Sequence, residues 1–193
     1  MSYLKRFFGH LNTVLTHKWW VFYYACHLGY SVRGLFHDMS KFSPVEFFEG
    51  VKYWNGKRSP ILEAKEMDGI SYAWLHHRGR NKHHYEYWID LVNDKIVYHK
   101  VPFKYAIEMV CDWMGACRAY NGSGNLTFDK EYEWWERKSK TIRLNSTTKT
   151  LVDTILWNLK EYGRYNTEAH TLSIVRNFID SWRAAYDDVT FLD

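Results

Sequence analysis

Apolar residues recur at helical spacing along most of the chain. The first such segment runs from Tyr3 to about Leu28, with Gly29 at the position where helices favour a glycine. His17 falls on its inward stripe, between Val14 and Val21. We therefore predict a first amphipathic helix with a histidine facing the core. The stripe consists of Leu4, Phe7, Phe8, Leu11, Val14, Leu15, Val21, Phe22 and Ala25.

Two Ser-Pro pairs indicate further helix starts. Ser43 is followed by Pro44 at the first helical position and Glu46 at the third, the pattern of a complete capping box. The second pair, at 59 and 60, begins a segment that ends at two histidines, with Gly69 as an interruption. We expect helices to start at both prolines.

The other apolar stripes complete an all-helical pattern in which no strand pattern competes. A loop is expected at the sequence NGSGN, residues 121–125. The expected fold is all-α, a helical bundle in which 1–193 form a single domain. The remaining predicted helices are a short one from Val32 to Met39, one capped by Asn81 and running through Tyr85, Trp88, Leu91 and Val92, one from Pro102 to about Tyr120, one striped by Leu151, Val152, Ile155, Leu156 and Leu159 and stopped by Gly163, and one striped by Leu172, Val175, Phe178, Ile179 and Trp182.

Composition adds an aromatic bias to this picture. With 193 residues the chain is long enough for one full core and too short for two. Its hydrophobic share of 46% is ordinary, but 19% of residues are aromatic, including ten Trp and fifteen Tyr. We expect rings to fill the core and to line a pocket, and such rings also admit a homodimer interface.

Charge and cysteine usage favour a cytoplasmic protein. The net charge of +4 is small and dispersed, so it does not by itself indicate a nucleic-acid binder, although a local cluster can hold a phosphate. Cys26, Cys111 and Cys117 are odd in number and lack paired spacing, which favours reduced thiols. Charged residues interrupt the apolar N-terminus, so we expect neither a secretion signal nor a membrane span.

The strongest chemical signal is LFHDMSKF, residues 35–42. An adjacent His37 and Asp38 can hold one cation by a nitrogen and an oxygen, and a carboxylate can also bridge two cations. The alternative is a helix end with a surface histidine. Convergence of further ligands favours the metal site, because ligands from facing helices can meet in a helical bundle.

His17 and Asp112 are such further ligands. Asp112 lies in the apolar segment IEMVCDWMGA, with Glu108 one turn before it on the same side. An acidic pair in so apolar a helix is costly to bury without a cation or base. The ordinary interpretation of His17 is a hydrogen-bonded core histidine, and that of Asp112 is a solvated acid. Neither interpretation explains both residues.

The stretch AWLHHRGRNKHHYEYW, residues 73–88, allows three interpretations: a metal site, an anion-binding loop or a solvated turn. His76, His77, His83 and His84 are candidate ligands, and basic residues lie between the two pairs. Arginine suits bidentate contact with a phosphate. The candidate substrate-binding residues are Arg78, Arg80, Asn81 and Lys82, with Lys41 as a further phosphate contact.

The ordered set of these residues resembles the HD superfamily of metal-dependent phosphohydrolases. It comprises His17, the HD pair at 37–38 with Lys41, the later histidines and Asp112. The resemblance implies an all-helical fold in which the early histidine, the HD pair and the late aspartate hold a divalent metal. Members with additional histidines hold two or more metals.

The segments HDMSKFSPVEF, AWLHHRGRNKHHYEYW and EYEWWERKSK are more closely similar to an uncharacterised family of bacteria and phages. The chain departs from the many-histidine HD proteins because its four later histidines lie within one short segment. These histidines therefore cannot be matched one by one to the metal ligands of those proteins. No GYP-like motif follows the histidine pair, and a cyclic dinucleotide substrate therefore gains no support.

These observations predict a metal-dependent phosphohydrolase acting on a nucleotide or another small phosphorylated compound. Asp38 would bridge two metals and act with Lys41 in catalysis, and one or two ions of Mn, Fe, Co, Ni or Zn fit the ligands. The alternatives are an HD-type diiron oxygenase and a non-catalytic helical module stapled by its metal. About 1–125 carry the metal-site motifs, and about 126–193 form a C-terminal helical extension. The complete predicted ligand set is His17, His37, Asp38, His76, His77, His83, His84 and Asp112.

Overall fold

A computed structural model describes residues 1–122 and 127–188 and has an all-α fold with one small hairpin. The helical class predicted from the sequence is confirmed. The helices are α1 (Tyr3–His27), α2 (Ser31–Phe36), α3 (Pro44–Tyr53), α4 (Pro60–Asp68), α5 (Tyr72–Arg78), α6 (Phe103–Asn121), α7 (Asp129–Lys138), α8 (Ser146–Gly163) and α9 (Glu168–Asp188); the strands are β1 (Ile89–Val92) and β2 (Lys95–Tyr98); and 3₁₀ turns cover Met39–Phe42 and Tyr85–Trp88.

Local signals place most helix ends correctly. At the start of α1, the hydroxyl of Ser2 accepts a hydrogen bond from the backbone amide of Lys5. Gly29, with φ of 86°, follows the end of this helix. Both Ser-Pro pairs precede helices, and Gly69 separates α4 from α5 in the left-handed conformation. Most of the predicted loop at 121–125 lies outside the described residues.

The helix predicted from Asn81 to Val92 is wrong. Here the chain forms a 3₁₀ turn and then an antiparallel hairpin, in which Val92 pairs with Lys95 around a two-residue turn. Asn93 and Asp94 both have positive φ, which is the conformation that a tight hairpin turn requires and that these two residue types tolerate. That turn chemistry outweighs the apolar spacing of the residues before it.

A core between α1, α6, α8 and α9 supports the fold. The predicted stripe of α8 is buried, and Leu151, Ile155 and Leu159 are all fully enclosed. Arg118 of α6, itself buried, lies with Nε 3.1 Å from a Glu131 carboxylate oxygen and thereby ties α7 to α6. The C-terminal helices thus pack directly on the helices that carry the site. Among the described residues, no helix combines the length and apolar character needed to cross a membrane.

Close packing of α1 on α6 fixes the register of two site residues. A Cβ at Gly115 would lie 2.6 Å from Cγ2 of Val21 and 2.9 Å from its backbone nitrogen, so only glycine allows this approach. Val21 lies one turn after His17, and Gly115 lies one turn after Asp112. The same contact therefore brings His17 and Asp112 together.

Candidate metal centre

The His-Asp pair occupies a turn between α2 and the following 3₁₀ turn. The predicted helix through Met39 ends at Phe36, and Asp38 adopts φ of 53° and ψ of 32°, a left-handed conformation that Asp tolerates better than most residues. Lys18 of α1 donates hydrogen bonds to the carbonyl oxygens of Leu35 and His37, at 2.6 and 2.8 Å. This turn places both side chains of the pair in the interior, where His37 is 1% and Asp38 3% exposed.

The two carboxylate oxygens of Asp38 face different sets of histidines. Oδ1 lies 3.3 Å from Nε2 of His77 and 3.3 Å from Nε2 of His83. Oδ2 lies 3.2 Å from Nε2 of His37 and 3.8 Å from Nε2 of His17. A carboxylate in this position is shared between two candidate cation sites.

Asp112 completes the second set. Its Oδ1 lies 3.0 Å from Nε2 of His17 and 3.3 Å from Nε2 of His37. Within the described residues, ligand atoms within 4.8 Å of one another form two four-residue groups that share Asp38. The first group consists of Asp38, His77, His83 and His84, and the second of His17, His37, Asp38 and Asp112.

Unpaired polar atoms converge at these groups. Buried polar groups in proteins are normally hydrogen-bonded, and leaving one unpaired costs roughly 1–3 kcal/mol. Here six buried atoms of the two groups make no hydrogen bond, although they belong to residues on three different chain segments. Cations held at this point would satisfy all of them, so the residues fit a metal centre. The six atoms are Nε2 of His17, His37, His83 and His84 and both carboxylate oxygens of Asp38, of which Oδ2 forms an ion pair with Lys41.

Two further carboxylates orient the histidines from behind. Glu46 Oε2 lies 2.7 Å from Nδ1 of His77, and Glu108 Oε1 lies 3.2 and 3.4 Å from Nδ1 of His37 and His83. An ionised carboxylate only accepts hydrogen bonds, so with a cation at Nε2 each Nδ1 would carry the proton and donate it to the carboxylate. Histidine ligands of metals are commonly held in this way. The third candidate group, His37, His83 and Glu108, therefore consists of these supporting contacts.

Sequence reasoning missed this role of Glu46. The capping box predicted at α3 is only half formed, because the hydroxyl of Ser43 accepts the Glu46 amide at 3.5 Å while the Glu46 carboxylate turns away to His76 and His77. The residue is buried and the two histidines lie thirty and thirty-one positions later in the chain. No spacing signal distinguishes such a contact from a helix cap.

Electrostatic coupling compensates for the burial of these groups. Burial disfavours the Asp38 carboxylate, but the His37 charge and its neighbours outweigh burial and hold the pKa of Asp38 well below its ordinary value. Burial also opposes a charge on His37, and Asp38 together with further hydrogen bonds raises the pKa of His37 well above its ordinary value. Burial and the neighbouring His83 push the pKa of His84 far down. In the metal-free protein, the positive charge of protonated His37 thus balances the Asp38 carboxylate, as a bound cation would.

The two adjacent histidines at 76 and 77 differ in their positions relative to the candidate metal groups. His77 is 2% exposed and belongs to a metal group, whereas His76 belongs to none of the three groups, is 20% exposed, and bonds through Nδ1 to Glu46 at 2.6 Å. The structure therefore brings together seven of the eight predicted ligands, all except His76.

We expect His77→Ala to lose about one of two bound ions, because His77 serves only one of the two groups. The matched variant His76→Ala should retain both ions, since it leaves every ligand atom of the two groups in place. Elemental analysis of each variant, purified without chelators, measures the difference. Equal metal content in the two variants would contradict this assignment.

A cavity of about 430 Å³ opens beside the metal groups. Its inner wall is formed by His17, His77, His83, His84 and Asp112. The other walls carry the aromatic residues that the composition predicted, together with three lysines. These residues are Trp74, Tyr85, Trp113, Tyr120 and Trp134, with Lys41, Lys65 and Lys138.

Helix α7 contributes directly to this cavity. Trp134 and Lys138 lie in the segment EYEWWERKSK and line its wall. Trp134 packs against Trp113 of α6 with ring centroids 5.3 Å apart. The C-terminal helices therefore help to shape the site as well as supporting the core.

The predicted basic loop lies mostly on another side of the centre. Arg80, Asn81 and Lys82 line a shallow depression of about 290 Å³ that reaches Asp38 from the opposite edge of the cluster. Asn81 donates to the hydroxyl of Ser40 at 2.8 Å, a structural contact. Arg78 lines neither cavity and interacts electrostatically with Glu86. Substrate binding by these four residues stays a prediction.

Lys41, predicted to act in catalysis, lies inside the centre. Its Nζ is 2.6 Å from Oδ2 of Asp38, and its side chain also lines the larger cavity. Burial disfavours its charge, but Asp38 outweighs burial and raises the pKa of Lys41. Lys41 is therefore a charged group at the boundary between the ligands and the open space.

Comparison with known proteins gives one match. The chain belongs to the family of unknown function DUF5662, whose sequence profile matches residues 6–158. The matched range contains every residue of the two candidate metal groups. No curated protein and no solved structure matches the chain.

Proposed function

We propose that this DUF5662 protein is a metal-dependent phosphohydrolase with two cations, acting on a nucleotide or another small phosphorylated compound. The observation that supports the proposal most is the position of Asp38, whose two carboxylate oxygens each face a different set of imidazole nitrogens. A chain that left this many buried atoms without partners would be strongly destabilised unless ligands for them were bound.

The chemistry would follow from the ligand set. A divalent cation lowers the pKa of a coordinated water from about 15.7 to about 7 and so supplies hydroxide at neutral pH. His17, His37 and Asp112 would hold one ion, and His77, His83 and His84 the other, with Asp38 between them. Glu46 and Glu108 keep the imidazoles in the tautomer that binds metal.

The cavity favours catalysis over a structural staple. Structural metal sites are closed by protein ligands, whereas catalytic sites keep an open position that substrate can reach. Five residues of the metal groups line the cavity of about 430 Å³, so substrate has direct access to them. Four ligands to each ion would still leave positions free on an octahedral ion such as Mn²⁺.

Lysines in the cavity can bind the phosphoryl group. Lys65 Nζ lies over the Trp74 ring, 4.8 Å from its centroid, and that ring packs against His84 at 5.0 Å. This places a cation next to the candidate ligands without any contact to a ligand oxygen. Lys41 provides a second positive charge, already paired with Asp38.

The proposal is tested by elemental analysis of protein purified without chelators, followed by a panel of phosphomonoesters and phosphodiesters assayed with the metal found. We expect about two ions per chain and turnover of at least one ester. Absence of hydrolysis with every tested metal would contradict the proposal. Iron together with oxygen consumption would instead support the oxygenase alternative.

Comparison of two basic residues shows which opening admits the substrate. We expect Lys65→Ala to raise KM about tenfold and to leave the metal content unchanged. A tenfold change corresponds to the lower end of the roughly 1.5–3 kcal/mol that a hydrogen bond to a charged group contributes. Arg80→Ala should change KM less than twofold, because Arg80 lines only the shallow depression. Steady-state kinetics measures both. The reverse result would place the phosphoryl group at the basic loop.

A further inference from the structure

A small chamber adjoins the metal centre on the side of α1, α3 and α4. Its volume is about 90 Å³, and it adjoins the larger cavity. The two spaces share four lining residues, His17, Lys41, Ser59 and Ile61. A molecule bound in the larger cavity next to His17 and Lys41 is thus also next to the chamber.

Polar side chains in the chamber wall have their hydrogen-bonding atoms engaged elsewhere. The Thr13 hydroxyl donates to the carbonyl of Gly9 at 2.9 Å, and the Lys41 ammonium is paired with the shared aspartate. Glu46 binds the two histidines of α5, and Glu49 accepts from the hydroxyl and backbone groups at the start of that helix. The surface left facing the chamber is mainly carbon.

Two histidines are exceptions in this wall: one is His17, whose Nε2 belongs to the metal centre, and the other is His10. Its ring packs on Gly50, where any side chain would collide with it, and its Nδ1 is buried without a partner. Burial, with a smaller contribution from Lys41, lowers the pKa of His10 to about 4, so the ring is neutral at pH 7. A neutral ring is compatible with an apolar occupant and offers it at most one hydrogen bond.

The size of the chamber limits the occupant. Dry apolar cavities bind apolar molecules, and an engineered cavity of about 150 Å³ binds benzene. At about 90 Å³ the chamber is roughly three-fifths of that size. A group of about three or four carbons therefore fits.

We propose that the substrate of the metal centre carries a short alkyl group, about three or four carbons long, that occupies this chamber while its phosphoryl group lies against the metal ligands. This inference rests on the proposed function, because it places the phosphoryl group in the larger cavity. It adds a substrate class: phosphorylated compounds with a small aliphatic end.

The probes are linear alkylphosphonates, which resemble phosphomonoesters and are not hydrolysed. Their affinity for the metal-loaded protein is measured by titration calorimetry, from methyl- to hexylphosphonate. Each buried methylene should strengthen binding by about fourfold, the equivalent of ~0.8 kcal/mol. We expect this gain up to propyl or butyl and no gain for longer chains.

Variants at Val14 change the chamber volume in both directions. Val14 lines the chamber and not the larger cavity. In the wild-type protein, affinity should stop rising at a certain alkyl chain length. Val14→Ala should make this limiting chain about one carbon longer, and Val14→Leu should make it about one carbon shorter. Leu62→Ala is the matched control, since Leu62 lines only the larger cavity and should leave the chain length unchanged.

Crystals of the wild-type protein under xenon pressure give a measurement that needs no variant. Xenon should occupy the chamber. A chamber without xenon, an affinity that does not depend on chain length, or a chain-length limit that is the same in all variants would each overturn the inference. Hydrolysis without chain-length dependence would contradict this inference alone. A chain-length limit without any hydrolysis would contradict the proposed function and leave the alkyl site in place.

Discussion

Asp38→Ala is expected to lose both metal ions and to reduce phosphoester turnover by about 10³-fold or more. Asp38 is the only residue common to the two four-residue groups found in the described part of the chain, so its removal takes one ligand from each. Metal ions contribute several kcal/mol of transition-state stabilisation, and each 1.36 kcal/mol is a factor of ten in rate. Elemental analysis and steady-state kinetics on the same preparation measure both effects.

The control for this variant is Asp68→Ala. Asp68 is an exposed aspartate whose side chain is 47% accessible, interacts with Lys52 and belongs to none of the candidate metal groups. It should keep wild-type metal content and activity. Asp38→Ala also leaves His37 and Lys41 without their shared partner, so circular dichroism must show that it is folded. A folded Asp38→Ala protein with full activity would contradict the whole assignment of the centre.

Removal of the metals is expected to lower the melting temperature by about 8–16 °C for each ion released. A ligand that binds only the folded state stabilises it by about 4.1 kcal/mol at a thousand times its Kd. For a chain of this size, 1 kcal/mol corresponds to about 2–4 °C in Tm. The physical reason is that cations would pair the buried Nε2 atoms of four histidines, which otherwise have no hydrogen-bond partner.

Thermal unfolding with and without a chelator measures this effect. Re-addition of the metal found by elemental analysis should restore the original Tm. Asp38→Ala is a useful comparison, because a variant that binds no metal should melt at the same temperature with and without chelator. Equal melting temperatures for the chelated and metal-loaded wild type would show that the unpaired atoms do not bind cations.

Local signals in the sequence were sufficient for most of the helices. Apolar spacing and caps depend on residues a few positions apart, so they predict α1, α3, α4 and the last two helices without reference to the rest of the chain. They failed at 81–92, where two turn residues decide the conformation. Asn93 and Asp94 form a tight turn, and this turn pairs the flanking residues into a hairpin.

The residues that meet at the candidate metal centre were also largely predictable, but their individual contacts were not. His17, Asp38 and Asp112 stand out because polar residues on apolar stripes require a partner. Nothing in the spacing of His76 and His77 indicates which of them turns towards Asp38. Glu46 likewise has the position of a helix cap, and its carboxylate finds the histidines only when α3 packs against α5.

The sequence by itself determined the helical class and the segments that carry the candidate metal-binding nitrogen and oxygen atoms. These properties follow from residue type and short-range spacing. Only the tertiary structure decided that Asp38 is shared between two groups, that Glu46 and Glu108 hold the imidazoles, and that the cavity has an apolar side chamber. Each of these depends on contacts between residues far apart in the chain, and such contacts form only when close packing, as at Gly115 against Val21, fixes how the helices meet.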